Sequence, residues 1–493
     1  MSNVNITIND KPVSAAQGCT ILEAATSSGI RIPTLCFLKG LVPHANCRIC
    51  VVEVEGSRTF QPACATKVSE GMVIHTDSPA VRQSRKNTLE LLLSRHSVDC
   101  HHCLRIGSSK CDDLDPTFCE MCFFCDCVRE GICELQALAR EYKVDILPYK
   151  LQPELYSIDL STECIVRNPN KCIKCRRCVD VCTNVQTVHA LSIVNRGSDI
   201  QVMPSMGKPL AESPCVQCGR CVQVCPTGAI HGLDKKDELI YHTHSYTTTT
   251  IAQVSDDVLD ELAKLSKMKR SELDICHIVA GLKKIGVDYV VNEEVALSRG
   301  QAMAAQCLAE NAATCERPII ITSSHAAAQF VNRYFPSLSG NVFSYDSAQQ
   351  QFGKLVRENW SQEIKLEPSK KIYTISVTSN NDNKGEATKN GSVDFVINAR
   401  ELYRIFLRTG VNLKKIKKVD PDIFGVAVEL APPMMRLLAP VVWEIGSSVE
   451  EMDVTVGGLT LKAVVGKTLG HARQLLEQVK NETSPYQIIK ISA

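Results

Sequence analysis

Two stretches of this sequence decide its fold: KCIKCRRCVDVCT at residues 171–183 and PCVQCGRCVQVCP at residues 214–226. Each places four cysteines with gaps of two, two and three residues, so the second stretch repeats the first. Three cysteines at this spacing can bind three corners of one [4Fe–4S] cluster, and the fourth cysteine of each run binds the other cluster. We therefore predict two clusters, and their ligand sets are Cys172, Cys175, Cys178 and Cys225, and Cys215, Cys218, Cys221 and Cys182.

Cysteine is concentrated in the first half of the chain, where 22 of the 25 cysteines precede residue 226. Thiols this close in sequence are spaced to converge on metal, whereas disulfide frameworks are typical of short secreted proteins. The first residues, MSNVNITIND, lack the basic start and apolar segment of a secretion signal. No apolar run reaches the length of a membrane span, and 55 Lys and Arg balance 54 Asp and Glu, which argues against a nucleic-acid partner. We expect a cytoplasmic metalloprotein.

The N-terminal 80 residues predict a second kind of centre. Residues 4–8 and 12–13 alternate as the strands of a hairpin, and Thr20 with Glu23 forms the capping-box signature of a short helix. Strand-like stretches follow at 49–55 and 72–76, an order compatible with a β-grasp domain over residues 1–80. Four cysteines in this segment suit a [2Fe–2S] centre, with zinc as the alternative metal. They are Cys36, Cys47, Cys50 and Cys64.

The ten-residue gap after Cys36 resembles the N-terminal domain of two families, the large iron–sulfur subunit of respiratory complex I and the iron-only hydrogenases. In both, one histidine and three cysteines hold a further [4Fe–4S] cluster, in a segment that ends in Cys-Glu-Leu-Gln. After the amphipathic segment 81–95, this chain has a similar set that ends in Cys133-Glu-Leu-Gln. The resemblance implies as ligands His96, Cys100, Cys103 and Cys133.

Between Cys103 and Cys133 lies an insert that leaves two interpretations open. Either Cys103 is the ligand and the insert is a separate metal site, or Cys127 replaces Cys103, because Cys127 keeps a five-residue gap to Cys133. Zinc and an extra [4Fe–4S] cluster are equally compatible with the insert, which is too poor in apolar residues to fold without a staple. Its cysteines are Cys111, Cys119, Cys122, Cys125 and Cys127.

From about residue 241 the composition changes to an ordinary α/β mixture. Helical patterns at 256–266, 348–359 and 471–479 alternate with β-branched runs at 319–322, 371–377 and 393–397, and SNNDNK at 379–384 predicts a polar loop. We predict a multidomain α+β protein. Its domains are a [2Fe–2S] β-grasp domain (1–80), a His/Cys [4Fe–4S] domain with the cysteine-rich insert (81–160), a bacterial-type 2×[4Fe–4S] ferredoxin domain (161–240) and an α/β domain (241–493).

This last domain resembles the catalytic domain of iron-only hydrogenases. The resemblance is carried by RPIIITSSHAAAQFVNRYFPSL (317–338), FSYDSAQQQFGKLVRENW (343–360), VDFVINARELYRIF (393–406) and GKTLGHARQLLEQVK (466–480). In the active enzymes, four cysteines bind a six-iron catalytic cluster, the H-cluster. Their Thr-Ser-Cys-Cys-Pro motif falls on residues 322–326, where this chain has Ser324 and His325, and their Met-Pro-Cys motif falls on residues 378–380, where it has Asn380.

The remaining two family cysteines would follow Ala493. Serine and asparagine are poor ligands for iron in a sulfide cluster. We therefore expect a degenerate family member with no H-cluster, whose former cavity is filled by protein packing. No nucleotide-binding motif is present, so neither flavin nor NAD is expected on this chain.

A chain with one [2Fe–2S] cluster, three [4Fe–4S] clusters and a fourth [4Fe–4S] cluster or a zinc ion suits electron transfer, without a substrate site of its own. The resemblance implies a place in an electron-bifurcating complex linked to NAD and ferredoxin. Its expected partners are a flavin/NAD-binding subunit, a small [2Fe–2S] subunit, ferredoxin and a separate catalytic subunit: a nickel–iron hydrogenase, a formate dehydrogenase or an NADP-reducing unit. The alternatives are a redox sensor built on an inactive hydrogenase and a complex I-like subunit.

Overall fold

The computed structural model describes residues 3–96, 127–129, 131–144, 149, 155–311, 318–363, 370–425, 427–441, 443–456 and 458–493. Over these residues the protein is a mixture of helices and strands. The strands are β1 (Asn3–Ile8), β2 (Lys11–Ala16), β3 (Val51–Val54), β4 (Gln61–Pro62), β5 (Val73–His75), β6 (Ile165–Arg167), β7 (Leu191–Val194), β8 (Gln201–Pro204), β9 (Ile230–Gly232), β10 (Thr248–Val254), β11 (Tyr289–Asn292), β12 (Ile319–Thr322), β13 (Val342–Ser344), β14 (Lys371–Val377), β15 (Phe395–Ile397), β16 (Glu450–Val456), β17 (Leu459–Gly466) and β18 (Ile488–Ile491).

The helices follow the same chain order. They are α1 (Ile21–Ser27), α2 (Pro79–Ser94), α3 (Glu134–Glu141), α4 (Arg177–Asp180), α5 (Arg220–Val224), α6 (Lys236–Thr243), α7 (Val258–Ser266), α8 (Ile275–Lys284), α9 (Glu294–Asn311), α10 (His325–Tyr334), α11 (Ala348–Leu355), α12 (Ser361–Glu363), α13 (Asp382–Asn390), α14 (Ala399–Arg408), α15 (Pro432–Leu438) and α16 (Leu469–Lys480). Among the described residues, none of these helices combines the length and apolarity that crossing a membrane requires.

The N-terminal sheet has the strand order β2-β1-β5-β3-β4, with β1 and β5 parallel and the other pairs antiparallel. The capping box predicted for α1 is confirmed. The Glu23 amide donates to Thr20 Oγ1 at 3.2 Å, and the Thr20 amide donates to Glu23 Oε2 at 2.8 Å. These bonds satisfy backbone donors that the first turn of a helix otherwise leaves unpaired. They fix the helix over the sheet whose flanking loops carry Cys36 to Cys64.

The duplicated segment consists of short helices and two small sheets. Strand β6 pairs antiparallel with β9, which joins the beginning of the segment to its end, and β7 pairs antiparallel with β8 in a hairpin between the two cysteine runs. Helix α4 continues as a π-helical turn, Val181–Val185, whereas its repeat equivalent α5 ends at Val224, just before Cys225 and Pro226. Proline has no amide hydrogen to continue a helix, so the helix of the second run ends before Pro226, whereas the helix of the first run continues past Cys182.

The C-terminal half contains two sheets with helices packed on them. One has the order β11-β10-β14-β15, all parallel, and the other has the order β13-β12-β18-β17-β16, in which only β16 and β17 are antiparallel. The strands predicted at 319–322 and 371–377 are confirmed at both ends. The polar loop predicted at 379–384 is wrong in its second half, because helix α13 begins at Asp382. Asp382 and Lys384 are buried there against polar partners, which the sequence pattern did not reveal.

Candidate metal centres

The first predicted set of thiols converges in the N-terminal region. Cys36, Cys47, Cys50 and Cys64 are all buried, with at most 8% of their surface exposed. They form two hydrogen-bonded pairs. Cys47 lowers the pKa of Cys36 to about 6 by hydrogen bonding, and Cys64 lowers the pKa of Cys50 in the same way, while the pKa values of Cys47 and Cys64 are raised. Four buried thiols in mutual contact supply the sulfur ligands that an iron–sulfur centre needs, so this donor set fits such a centre.

One of the two predicted sets of thiols in the ferredoxin-like segment lines one cavity. Its wall includes Cys172, Cys175, Cys178 and Cys225, together with apolar residues such as Val202 and Ile230. The fourth thiol therefore comes from the second cysteine run, as the repeat spacing predicts. Burial raises the pKa of Cys172 to about 11, with a further contribution from Cys225. Buried thiols in mutual contact are costly to ionise alone, and a bound iron cluster would offset that cost.

The other set lies beside the core of the C-terminal half. Cys182, Cys215 and Cys218 pack against one apolar core, and burial, then Cys215, Cys218 and Cys182, raise the pKa of Cys221 well above its ordinary value. Here the fourth thiol comes from the first run. The two sets also approach each other, since Cys221 contributes to the raised pKa of Cys178.

Backbone amides are directed at the sulfur atoms of both runs. The amides of Lys174 and Gln217 donate to Cys172 Sγ at 3.4 Å and to Cys215 Sγ at 3.3 Å, respectively. Both residues lie in the left-handed region, with φ of 58° and 60°. Successive amides in such turns form an anion-binding concavity, as sulfur-ligated clusters need. The Ala190 amide donates to Cys182 Sγ at 3.3 Å in the same manner.

The histidine-containing set is described only in part. His96 follows helix α2 and is 3% exposed, and Cys133 is the buried N-cap of helix α3. Cys127 is also buried. The pKa of Cys133 is raised to about 12, mainly by burial and further by the nearby thiol of Cys127. The Sγ of Cys127 lies 3.3 Å from where a Cβ on Gly228 would be, so Cys127 is close to the Cys225 end of the repeat. Cys100, Cys103, Cys111, Cys119, Cys122 and Cys125 lie outside the described residues.

Thiols of three predicted sites share one buried core. Cys36 and Cys47 of the first set, Cys133 of the histidine-containing set and Cys175 of the repeat pack together with Leu35, Ile49, Leu89 and Leu93. We call this core the junction. By contrast, Cys182, Cys215 and Cys218 pack against the C-terminal half, beside Phe330 and Leu469. The predicted sites therefore form a connected series, with the junction at one end and the C-terminal domain at the other.

Two buried arginines near these thiols were not predicted from the sequence. Arg177 and Arg220 occupy the same position in the two cysteine runs and are 6% and 5% exposed. Arg177 Nη1 donates to Glu134 Oε1 at 2.9 Å, and the Arg220 guanidinium lies 4.8 Å from the centre of the Trp443 ring. Their equivalent positions in the repeat were visible in the sequence. Their burial was not predictable, because arginine is seldom buried without a partner and the partners here are distant in sequence.

In the C-terminal half, Ser324 and His325 at the family's motif positions make structural hydrogen bonds, whereas Asn380 Oδ1 is buried without a hydrogen-bond partner among the described residues. Ser324 caps helix α10 by accepting from the Ala327 amide at 3.2 Å, and its hydroxyl donates to Asp382 Oδ2 at 2.8 Å. Asp382 is fully buried, and burial raises its pKa. His325 Nε2 accepts a hydrogen bond from Lys389 Nζ at 3.0 Å, and burial, then Lys389, lower its pKa. This set offers hydroxyl, carboxyl and imidazole groups where an iron–sulfur cluster requires thiolates, so it does not fit such a cluster.

Comparison with known protein families agrees with this division. Residues 1–79 match a 2Fe-2S iron-sulfur cluster binding domain, and residues 171–229 match a 4Fe-4S dicluster domain. Residues 248–493 match the C-terminal domain of the iron only hydrogenase large subunit.

Two solved structures are similar over about half of this chain. The NAD+-reducing [NiFe]-hydrogenase structure matches 48% of this chain and 89% of its own, with 25% identity and a TM-score of 0.39. A variant of the [FeFe]-hydrogenase HydA1 from Chlamydomonas reinhardtii matches 53% of this chain and 82% of its own, with 16% identity and a TM-score of 0.45.

Among curated proteins, the 75 kDa subunit of the NADH-ubiquinone oxidoreductase of Reclinomonas americana is 33% identical over 40% of this chain and 25% of its own length. The alpha subunit of the NADPH-Fe(3+) oxidoreductase of Geobacter sulfurreducens is 33% identical over 42% of this chain and 22% of its own. The HndD subunit of the NADP-reducing hydrogenase of Solidesulfovibrio fructosivorans is 30% identical over 97% of this chain and 84% of its own. The chain therefore belongs to the iron-only hydrogenase large-subunit family.

Proposed function

We propose that this chain is the iron–sulfur electron-transfer subunit of a multisubunit, electron-bifurcating oxidoreductase linked to NAD and ferredoxin. It would relay electrons between a flavin/NAD-binding subunit, accompanied by a small [2Fe–2S] subunit, and a separate catalytic subunit: a nickel–iron hydrogenase, a formate dehydrogenase or an NADP-reducing unit. The observation that carries the proposal is the junction, where thiols of three candidate sites meet in one core. A relay needs redox centres that are close together and shielded from water.

The proposed cofactors are one [2Fe–2S] cluster and three [4Fe–4S] clusters, which supply one-electron oxidation and reduction when bound. The chain's own part is to bind them through buried thiols and to direct amides such as those of Lys174 and Gln217 at the sulfur atoms. The family matches at 1–79, 171–229 and 248–493 support the proposed domains 1–80, 161–240 and 241–493, with 81–160 between them. The five-stranded sheet with α1 packed on it supports a β-grasp fold for the first domain.

For the histidine-containing cluster, we favour Cys127 over Cys103 as the third cysteine ligand. Two features of the described residues support this choice: Cys127 is 2% exposed, and it lies close enough to Cys133 to raise the pKa of that thiol. The remaining cysteines of the insert, with Cys103, would then form the separate zinc or [4Fe–4S] site.

The C-terminal half would serve as a protein support without a catalytic cluster. Ser324 donates to Asp382 Oδ2 in the region of the family's cluster site, and the sheet and helices around them pack on the second cysteine run through Phe330 and Leu469. Such a domain would shield the last cluster from water and present a surface to the catalytic subunit.

Anaerobic affinity purification from the native host, with mass spectrometry of stoichiometric partners, tests the relay. We expect a flavin/NAD-binding subunit together with a hydrogenase, a formate dehydrogenase or an NADP-binding protein. Recovery of the chain alone, or with a signalling protein, would overturn the proposal in favour of a redox sensor.

A matched pair of variants tests the ligand choice. Cys127→Ser should remove the electron paramagnetic resonance signal of the histidine-ligated cluster, because a serine hydroxyl is a poor iron ligand. Cys103→Ser should leave that signal in place and reduce only the metal content of the insert. The reverse pattern would assign Cys103 to the cluster.

A further inference from the structure

The repeat places two arginines in equivalent positions, each between the second and third cysteine of its run. Neither is needed to bind a cluster, and both are almost fully buried: Arg177 is 6% exposed and Arg220 is 5% exposed. In both, Nε is buried without a hydrogen-bond partner among the described residues. Burying an unsatisfied, charged donor is costly unless a negative group lies nearby. An anionic iron–sulfur cluster is such a group.

Arg177 faces the junction. Besides its bond to Glu134, its Nη1 lies 3.5 Å from the carbonyl oxygen of Val224, which ties the first run to the second. Arg177 lies between Cys175 and Cys178 of one predicted set, and Cys175 packs with Cys36 and Cys47 of the other set in the junction. The side chain of Arg177 is 8% exposed, whereas that of Glu134 is 43% exposed. Water therefore screens the negative partner far more than the positive one.

Arg220 faces away from the junction. It hydrogen-bonds Gln223 Oε1 at 3.0 Å and the Ala493 carbonyl oxygen, and it stacks on Trp443. It lies between Cys218 and Cys221 of the set whose Cys182, Cys215 and Cys218 pack on the C-terminal half. The positive charge of Arg220 thus acts on the cluster next to the C-terminal domain and not on the junction.

We propose that Arg177 is a positioning residue that tunes reduction potentials at the junction, raising those of the clusters bound by the Cys36 set and by the Cys175 set. Reduction adds one negative charge to a cluster, and a fixed, buried positive charge stabilises the reduced form. This inference rests on the proposed function, since it requires clusters at both sites. It separates the equivalent arginines: Arg177 acts at the junction, whereas Arg220 lies at the other end of the series.

The test is a redox titration of the full-length, cluster-loaded chain, followed by electron paramagnetic resonance. The [2Fe–2S] signal is the reporter, because it persists at temperatures where [4Fe–4S] signals broaden. Arg177→Met should lower the midpoint potential of the [2Fe–2S] cluster by about 59 mV, which is a tenfold change in the one-electron reduction equilibrium. Arg177→Lys should retain most of the wild-type value, and Glu134→Gln should raise it. Arg220→Met, the matched control, should leave the [2Fe–2S] midpoint unchanged.

The outcomes separate this inference from the proposed function. A wild-type chain without [2Fe–2S] and [4Fe–4S] signals would contradict the proposed function itself. Signals that are present but unmoved in Arg177→Met would overturn only the tuning role. If Arg177→Met fails to load clusters, the decision passes to Arg177→Gln, which removes the charge and keeps a polar side chain. A [2Fe–2S] midpoint that does not fall in that variant would also overturn the inference.

Discussion

The two cysteine runs of the repeat have the same spacing, yet their buried arginines and several of their cysteines have different neighbours. The first run contributes Cys175 to the junction, and its buried arginine pairs with Glu134. In the second run, Cys215 and Cys218 pack on the core of the C-terminal half, and the equivalent arginine stacks on Trp443. The comparison teaches that the spacing decides which cluster a run can bind, while residues far away in sequence decide how that cluster behaves.

The runs also differ at one backbone position. Arg176 and Gly219 are equivalent and share the left-handed conformation, with φ of 72° and 71°. The first run tolerates a side chain there. In the second, a Cβ on Gly219 would lie 2.4 Å from Asn381 Cβ, so the close approach of the C-terminal half leaves room only for glycine.

The largest expected effect breaks the crossed ligation between the runs. Cys225→Ser should remove the cluster whose other ligands are Cys172, Cys175 and Cys178, although Cys225 belongs to the second run. Cys182→Ser should remove the other cluster. Each variant should lose about four iron atoms per chain, measured by iron content and electron paramagnetic resonance. If each fourth cysteine served its own run, the two variants would lose the opposite clusters.

The next effect concerns the left-handed position. Gly219→Ala should destabilise the protein by about 2–4 kcal/mol, because it adds left-handed strain to a clash with Asn381. Arg176→Gly, its counterpart in the first run, should stay within about 1 kcal/mol of the wild type, because it removes strain and creates no clash. Urea unfolding of the cluster-loaded chain measures both. Equal destabilisation by the two variants would show that the C-terminal half does not press on the second run.

The smallest effect, when it is measured per pH unit, is a pH dependence in the half that supports the second run. Glu386 is buried against Ser347, Gln349, Asp382 and Asp346, and burial is the main cause that raises its pKa to about 8. Between its unfolded value of 4.5 and about 8, the folded state keeps a proton that the unfolded chain has lost. The free energy of unfolding should therefore fall as pH rises through this window, by at most about 1.4 kcal/mol per pH unit.

Glu386→Gln should reduce that slope, since the amide does not titrate, and the remaining slope would come from groups such as Glu293, whose pKa burial also raises to about 8. The exposed Glu358→Gln serves as the control and should keep it. Urea unfolding followed by far-ultraviolet circular dichroism at pH 5 to 8 measures the slope. An unchanged slope in Glu386→Gln would mean that Glu386 is ionised in the folded protein.

Local chemistry made much of the fold predictable. Thr20 with Glu23 defined the start of a helix, and β-branched runs defined the strands Ile319–Thr322 and Lys371–Val377 at both ends. The loop predicted at 379–384 was wrong in its second half, because its polar residues suggested exposure to solvent. Lys384 Nζ is instead buried 2.7 Å from Glu401 Oε1, a partner that no local pattern reveals.

The candidate sites divide in the same way. The gaps between cysteines fixed which thiols could meet, and the structure brings Cys225 to Cys172 and Cys182 to Cys215. The choice between Cys103 and Cys127 was open in the sequence, because both spacings are compatible with the family pattern. The role of Arg177 could not be predicted either, since burying its charge depends on Glu134 and on the core around Cys175.

Trp443 gives the molecule a built-in optical reporter. Its ring packs on Val181, Val185 and Val224, next to the fourth cysteine of each run, and under the guanidinium of Arg220. The second tryptophan, Trp360, lies in a separate apolar core with Phe352. Iron–sulfur clusters absorb broadly across the range of indole emission, so cluster loading should quench Trp443 by energy transfer more than Trp360. The intrinsic fluorescence of the chain would then record how many of its molecules carry iron.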